Sequence, residues 1–528
     1  MVASASDHGT PPTKHCPPGP TVTPDEDRIP VVVGFGQSIE RRDPVTPVDL
    51  MARAGEAALE GLGGLRDRIG RLSVVDVMTR TGPAPATELA RRLGVAPAVC
   101  EVTTIGGNSP QWLVRRAAAD IAAGSLSVTL IAGAEAIRSS RQRRAAGEPR
   151  DDGDTSLPPD PVVGDALPGL GTAETAIGLM APIHVYPLFE SVVAAGAGRT
   201  ADEQRRVIGA VFAPFTRVAA ANRFAWFPDV LTADQIATPA PDNRIVCEPY
   251  TKRMTAFLGS DQGAALVVCS LAAARLAGVA DRAVFVWSGA GVNDVRFPSA
   301  RPDPGRSPAI AAAGRALFAA GSEAGGVTVD IDDIDVIDLY SCFPSAVELG
   351  AEALGLALDD RRSLTATGGL PYFGGPGNNY TTHGIGSVCE QLRGRGGAGP
   401  ALGLATGLGW FVTKHALGLY GTEPPPGGFR LADTTADQAR IDDDAVPVAE
   451  AVDRPTDATV VAATVARDHD GTPTAAPLIA RLPDGRHVAA APADDAVTAA
   501  VGGLDIPSLV GTSVVVDGGP PRYRLPER

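Results

Sequence analysis

Apolar runs of strand length alternate with amphipathic runs of helix length along most of this chain. IPVVVGFG, from Ile29, predicts a buried strand, and PVDLMARAGEAALEGLG predicts a helix, with Pro47 near its start and Gly61 at its end. EVTTIGG reads as a short strand ending in two glycines. Ser109 and Pro110 then open a helix that carries Leu113, Ala117 and Ile121 on one face and closes at Gly124. VTLIAGAEA completes a strand, loop, helix, strand unit. Its loop lies at a helix N-terminus, where backbone N–H groups lack partners, so chemistry is expected there.

Residues 139–230 break this rhythm. RQRRAAGEPRDDGDTSLPPDP is charged and proline-rich, and the stretch through VYPLFESV and FAPFTRVAAANRFAW is aromatic, so the segment reads as an insertion covering a site. The strand SDQGAALVVCS restores the pattern, which then repeats. VFVWSGAGV and DVIDLYSCF are strands, and a helix runs over Val347, Ala351 and Leu354. The glycine loop GGLPYFGGPGNNY leads into a helix over Ile385, Val388, Cys389 and Leu392, and ALGLATGLGWFVTKHALGLYG closes the unit. Two similar α/β halves are predicted, 29–275 and 276–422. An acidic linker follows at 423–454. Residues 455–528 alternate in short strands around Asp470-Gly471 and Asp484-Gly485, which predicts a small all-β, OB-like unit.

At 528 residues the chain exceeds what one core usually serves. Its net charge of −15 opposes phosphate backbones and anionic membranes, which argues against nucleic-acid and membrane partners. Tyr523 as the lone aromatic of 455–528 would make a poor stacking surface for bases. Residues 1–28, rich in Pro, Thr and charge, predict a disordered tail. The six cysteines have no zinc-like spacing, and no signal peptide or membrane-length apolar run is present. A cytoplasmic protein with reduced thiols and no metal is therefore expected.

The paired halves, the element TTIGGNSPQWLV, the strand SDQGAALVV and the closing ATGLGWFVTKHALG together resemble the thiolase superfamily over roughly residues 28–422. The similarity is nearest to its sterol-carrier-protein and acetyl-CoA-acetyltransferase-like branch, and the added β unit makes it most similar to the type 1 thiolase-like proteins with an extra C-terminal domain. The resemblance implies a five-layer αβαβα fold and a coenzyme A thioester as substrate or ligand, with no covalently bound cofactor. It also suggests a homodimer built through the core sheets, with 455–528 available to a protein partner.

The same resemblance shows what is missing. The nucleophilic cysteine of thiolases falls on Gly107, with Asn108 and Ser109 in the neighbouring registers. The motif Asn-Glu-Ala-Phe or His-Asp-Cys-Phe falls on Tyr340, Ser341, Cys342 and Phe343. Gly-His-Pro falls on Gly374, Gly375 and Pro376, and Cys-x-Gly on Gly407, Leu408 and Gly409. Loss of the nucleophile, the histidine and the acid/base cysteine argues against classical thiolysis.

Several residues remain as candidates, each beside a plainer reading. Tyr340 is a strand-end phenol that either moves protons or packs. His383, about two turns beyond Gly375, either points into the same cleft or is structural. Asn108, Asn378 and Asn379 either donate to an enolate oxygen or cap helices, and Ser109 reads first as a cap. Lys414 and His415 suit an anion or a solvated helix start, while Cys100 and Cys342 read as core thiols. Three functions follow: a degenerate thiolase-like protein that acts on or binds acyl-CoA thioesters; a retro-aldolase using Tyr340, with Tyr372 or Tyr380 in support; or a non-catalytic assembly protein.

Overall fold

The computed structural model describes residues 26–79, 81–149, 153–395 and 399–526. The tail expected at 1–28 lies outside them except for a 3-10 turn at Glu26–Arg28. Among the described residues up to Gly421 there are twelve strands: β1 Pro30–Ile39, β2 Arg71–Val74, β3 Val99–Thr103, β4 Val128–Ala136, β5 Val162–Val163, β6 Ile245–Cys247, β7 Tyr250–Thr251, β8 Asp261–Ser270, β9 Val284–Asn293, β10 Ile334–Asp338, β11 Leu402–Gly409 and β12 Lys414–Gly421.

The duplication is visible in the pairing. In the first half the order runs β3-β2-β4-β8-β1, and in the second β10-β11-β12-β9. β2 pairs parallel with β4, β4 antiparallel with β8, and β8 antiparallel with β1. β10 pairs parallel with β11, β11 antiparallel with β12, and β12 antiparallel with β9. Order and direction therefore coincide for β2-β4-β8-β1 and β10-β11-β12-β9, and β3 extends the first half beyond this repeat. The two sheets meet where Val31 and Val32 pair with Phe285 and Val284.

Two helices fill the space between the sheets, Ser109–Ala122 from the first half and Tyr380–Gly394 from the second, and they touch each other. Being covered on both sides, they share one core with inward strand residues: Leu113, Val114, Ile121, Ile385, Val388 and Leu392 pack with Val32, Leu266, Val286 and Val336. The Tyr380 helix lies so close to its neighbours that only glycine fits at two positions. A Cβ on Gly386 would fall 1.9 Å from the Phe35 ring, and one on Gly384 would fall 2.3 Å from the Asp338 carboxylate. Helix Pro47–Leu59 covers the first sheet and helix Pro308–Gly325 the second, which completes five layers.

The 139–230 segment folds as helices, chiefly Pro182–Gly196 and Ala201–Ala221, and closes over the strand ends. Tyr186 stacks on Phe343 at 4.5 Å and donates its hydroxyl to Trp410 O at 2.8 Å. β5 pairs with β3 through Val162 and Val163, so the chain itself occupies part of the sheet edge expected to carry a dimer.

Past β12 the expected linker is instead a docked strap. Arg430–Leu431 pairs with β9, helix Thr435–Asp443 buries Ile441, and Gln438 exchanges hydrogen bonds with the Asn293 backbone at 2.7 and 3.1 Å. Composition reads this segment as solvated because its exposed face is acidic, whereas its backbone bonds and one buried isoleucine hold it to the core.

The C-terminal unit is a closed five-stranded barrel. Strands Val452–Ala463, Leu478–Arg481 and His487–Pro492 form a meander, Ser513–Gly518 and Arg522–Arg524 complete it, and Ala491 pairs parallel with Arg522 to close the ring. Helix Asp495–Gly502 lies between the third and fourth strands, so strand order and helix position fit an OB-like unit. Tyr523 is buried in its core and donates to Ala476 O at 2.7 Å. The barrel seats on the thiolase-like halves. Ala466 pairs with Cys247 of β6, and Glu248 accepts from Arg205 Nη1 and Arg467 Nε, both at 3.0 Å. His487 Nδ1 lies 3.0 Å from Ser299 O.

Candidate functional site

Four chain segments converge at the inner ends of the two middle helices: the loop Thr104–Asn108, the turn Gly377–Asn379, the end of β10 at Tyr340, and the β11–β12 turn. Polar side chains stitch them together. Thr381 Oγ1 donates to Gly107 O at 2.6 Å, and Gly106 N donates to Asn378 Oδ1 at 3.1 Å. The Asn378 amide then donates to Asp76 O at 3.0 Å and to Asp76 Oδ2 at 3.1 Å, while Asn379 Nδ2 donates to Gly133 O at 2.6 Å.

These bonds correct the capping readings. Asn108 and Asn379 occupy the N-cap positions of the two middle helices, but neither side chain makes a capping bond. Ser109 Oγ donates backwards to Thr104 O at 3.2 Å. Asn378 and Asn379 serve as cross-links between the halves, a role that needs the tertiary fold to be seen, while the Asn108 Oδ1 is buried without a partner.

Gly107, Tyr340 and Gly407 do come together. A Cβ on Gly407 would lie 3.0 Å from Asn108 Cα and 3.3 Å from Gly107 O. A Cβ on Gly107 would lie 2.3 Å from Tyr340 Oη, 2.8 Å from Tyr340 Cζ and 2.5 Å from Leu408 O. The volume in which a side chain at 107 would project is therefore already filled by the Tyr340 phenol and a backbone carbonyl. The cavity beside Tyr340, walled by Leu339, Gly407, Leu408 and His415, measures about 10 Å³. That is about one water probe and no thioester.

Electrostatics agree with the packing. Tyr340 is buried edge-on to Tyr380, with ring centroids 5.4 Å apart, and burial pushes its phenol well above the usual tyrosine range. A base needs the opposite shift. Tyr372 and Tyr380 are raised for the same reason; Tyr380 Oη lies 2.6 Å from Thr367 Oγ1, and the Tyr372 hydroxyl is buried without a partner. The thiols of Cys247, Cys269, Cys342 and Cys389 are each pushed up to about 12 by burial, and that of Cys100 is raised. None of these five is poised as a thiolate.

His383 does not point into the cleft, as one reading expected. It is fully buried against Phe373, its Nδ1 lies 2.6 Å from Gln37 Oε1, its Nε2 has no partner, and burial lowers it to about 3. It is a neutral core histidine. Gly375 faces Phe257 O and Leu258, and Ser341 Oγ is buried without a partner. Lys414 is buried beside Asp165, and His415 Nε2 lies 3.2 Å from Val412 O, so both line walls rather than a solvated helix start.

Sequence reasoning missed three elements here. Trp410 and Val412 take left-handed φ values of 57° and 53°, an outlier for a branched valine. The buried Arg301 holds that turn, donating from Nη2 to Phe411 O at 2.7 Å and to Val412 O at 2.9 Å. Glu135, fully buried beside the Asp76–Asn378 link, accepts from Met78 N at 2.6 Å and Thr79 N at 3.0 Å. Burial, with a further contribution from Asp76, nevertheless raises its carboxyl to about 7. No local pattern marks any of the three.

No protein-family model matches the chain, and no curated protein matches it by sequence. Solved structures do match. A monomeric SCP2-thiolase like protein type 1 from Mycobacterium smegmatis is 30% identical, with a TM-score of 0.79 over 95% of this chain and 99% of that one. The Ltp2-ChsH2(DUF35) aldolase (19% identity, TM-score 0.55, 75% of this chain and 98% of that one) and an acetyl-CoA acetyltransferase from Syntrophomonas wolfei (15%, 0.52, 75% and 99%) share the fold. Correspondence with the first spans both α/β halves and the barrel, and on that ground the chain belongs to the SCP2-thiolase-like branch of the thiolase superfamily.

Proposed function

We propose that this chain is a degenerate thiolase-like protein that binds an acyl-CoA thioester and does not turn it over at the thiolase position. The observation that carries this reading is the Tyr340 phenol, which lies 2.3 Å from where a Cβ on Gly107 would stand. With that volume filled and a cavity of about 10 Å³ beside it, neither a nucleophile nor a reacting carbonyl has room. The retro-aldol alternative loses its base, because Tyr340 is pushed up rather than down.

The ligand class rests on the acetyl-CoA acetyltransferase among the structural neighbours and on charge. A cleft of about 690 Å³ beside the Tyr380–Gly394 helix is lined by Arg217, Arg223 and Arg361, none in an ion pair among the described residues, although the Glu390 and Asp360 carboxylates on the same wall feel the charges of Arg223 and Arg361. Guanidinium groups suit the phosphates of such a ligand. The barrel docks on its own core and β5 occupies part of the β3 edge, so we infer that the chain acts as a monomer, as its Mycobacterium smegmatis relative is described.

Calorimetric titration with acetyl-CoA tests the proposal. Saturable binding, weakened at least tenfold in an Arg223→Ala/Arg361→Ala variant, is expected, with the thioester recovered intact. Absence of binding refutes the ligand class, and hydrolysis or acyl transfer refutes the loss of turnover.

A further inference from the structure

Arg115 lies half-buried on the middle helix Ser109–Ala122, between the two sheets. Among the described residues it forms no ion pair and no hydrogen bond. The fold nevertheless keeps space for it. A Cβ on Gly289 would fall 2.7 Å from Arg115 Cγ, and one on Gly291 would fall 2.4 Å from Arg115 Nη1, so two glycines on one face of β9 leave the groove in which this side chain lies. The side chain is only half-buried, so its guanidinium, unpaired within the chain, stays open to an anion that enters from solvent.

The guanidinium borders a cavity of about 140 Å³, whose walls also include Asn108, Trp112, Asn293, Lys414 and Gln438. Lys414 is bonded to Asp165 and Ile105 O, His415 lies 3.5 Å from Asp294, and Gln438 is committed to the Asn293 backbone. Arg115 is the cation left over. Burial lowers its pKa, and the acid on the same cavity wall, Asp165, is engaged by Arg296 and Lys414 instead. The wall contributed by Gln438 comes from the docked strap beyond the thiolase-like halves, so the strap helps to form this cavity.

We propose that the cavity between the Ser109–Ala122 helix and β9 is a binding site for a small oxyanion, a carboxylate or phosphate group, with Arg115 as its counter-charge. The planar guanidinium offers two parallel N–H donors to such a group. Asn108 lines the same cavity, but its unpartnered Oδ1 is an acceptor beside Gly106 and Gly409, so the donors for such a group come from Arg115. The proposal is independent of whether acyl-CoA binds in the cleft beside the Tyr380–Gly394 helix, since the two cavities share no lining residue.

The test titrates the full chain with sodium phosphate, and separately with sodium acetate, at constant ionic strength made up with chloride. Binding is read by calorimetry and by thermal shift. One-site saturable binding of at least one anion is expected, weakened at least tenfold in Arg115→Gln and unchanged in Arg454→Gln, an exposed control. Phosphate binding alone, or acetate binding alone, identifies which group the site takes. No saturable binding of either, or equal binding by wild type and Arg115→Gln, overturns the proposal. Should Arg115→Gln fail to fold, selenate soaked into crystals of the wild-type chain decides: an anomalous peak on the Arg115 guanidinium supports the site, and its absence there overturns it.

Discussion

Replacing Gly107 by alanine places a single methyl group where the structure has no room. That methyl carbon would fall 2.3 Å from Tyr340 Oη and 2.5 Å from Leu408 O, so each neighbour must retreat by most of an ångström. Leu408 O is backbone within β11, and the phenol is backed by Tyr380, so neither yields cheaply. Overpacking of this kind costs about 1–3 kcal/mol, and two hard contacts place Gly107→Ala near the upper end. For 528 residues unfolding at roughly 2.1 cal/mol/K each, about 3 kcal/mol lowers Tm by about 3 °C. Scanning calorimetry reads that shift. Tyr340→Phe removes the closest contact, so Gly107→Ala/Tyr340→Phe should recover part of the loss, and the coupling between the two sites should be about 1 kcal/mol. A Gly107→Ala protein melting with the wild type would refute the claim that the nucleophile volume is filled.

Other expectations follow from the same coordinates. Glu248→Ala leaves Arg205 and Arg467 without their shared carboxylate at the seam between core and barrel, and should cost about 3 kcal/mol in denaturant titration. Glu135, raised from 4.5 to about 7, holds its proton more tightly when folded. Its contribution is therefore fully present below about pH 4.5 and lost as pH rises towards 7, by roughly 3 kcal/mol; Glu135→Gln should show a correspondingly flatter stability profile between those values. Limited proteolysis should leave 423–454 uncut, because its backbone is bonded to β9 and Asn293; two fragments divided there would contradict the docked strap.

Much of the fold was legible because it is written locally. The repeated strand and helix periods, Pro and Gly at helix boundaries, and the hairpin signals at Asp470-Gly471 and Asp484-Gly485 each depend on a few neighbouring residues. The motif positions at Gly107, Tyr340 and Gly407 were placed by resemblance, and these three do meet in space. What sequence did not reveal depends on contacts across the chain. Asn378 reads as a helix-start residue until Gly106, 272 positions away, is seen bonded to it. His383 reads as a candidate base until Phe373 and Gln37 enclose it. Arg115 looks like any helical arginine until Gly289 and Gly291 are found beneath it. The acidic strap reads as a linker because one buried face of a short helix leaves too few apolar residues to show a period.

The most direct test of the central claim is product analysis after incubating the chain with acetoacetyl-CoA and free CoA. The filled volume at Gly107 predicts no acetyl-CoA above the protein-free control, for wild type and for Gly107→Cys alike, because a thiol added there meets Tyr340 and finds no poised histidine. Acetyl-CoA formation proportional to the concentration of wild-type protein would contradict it.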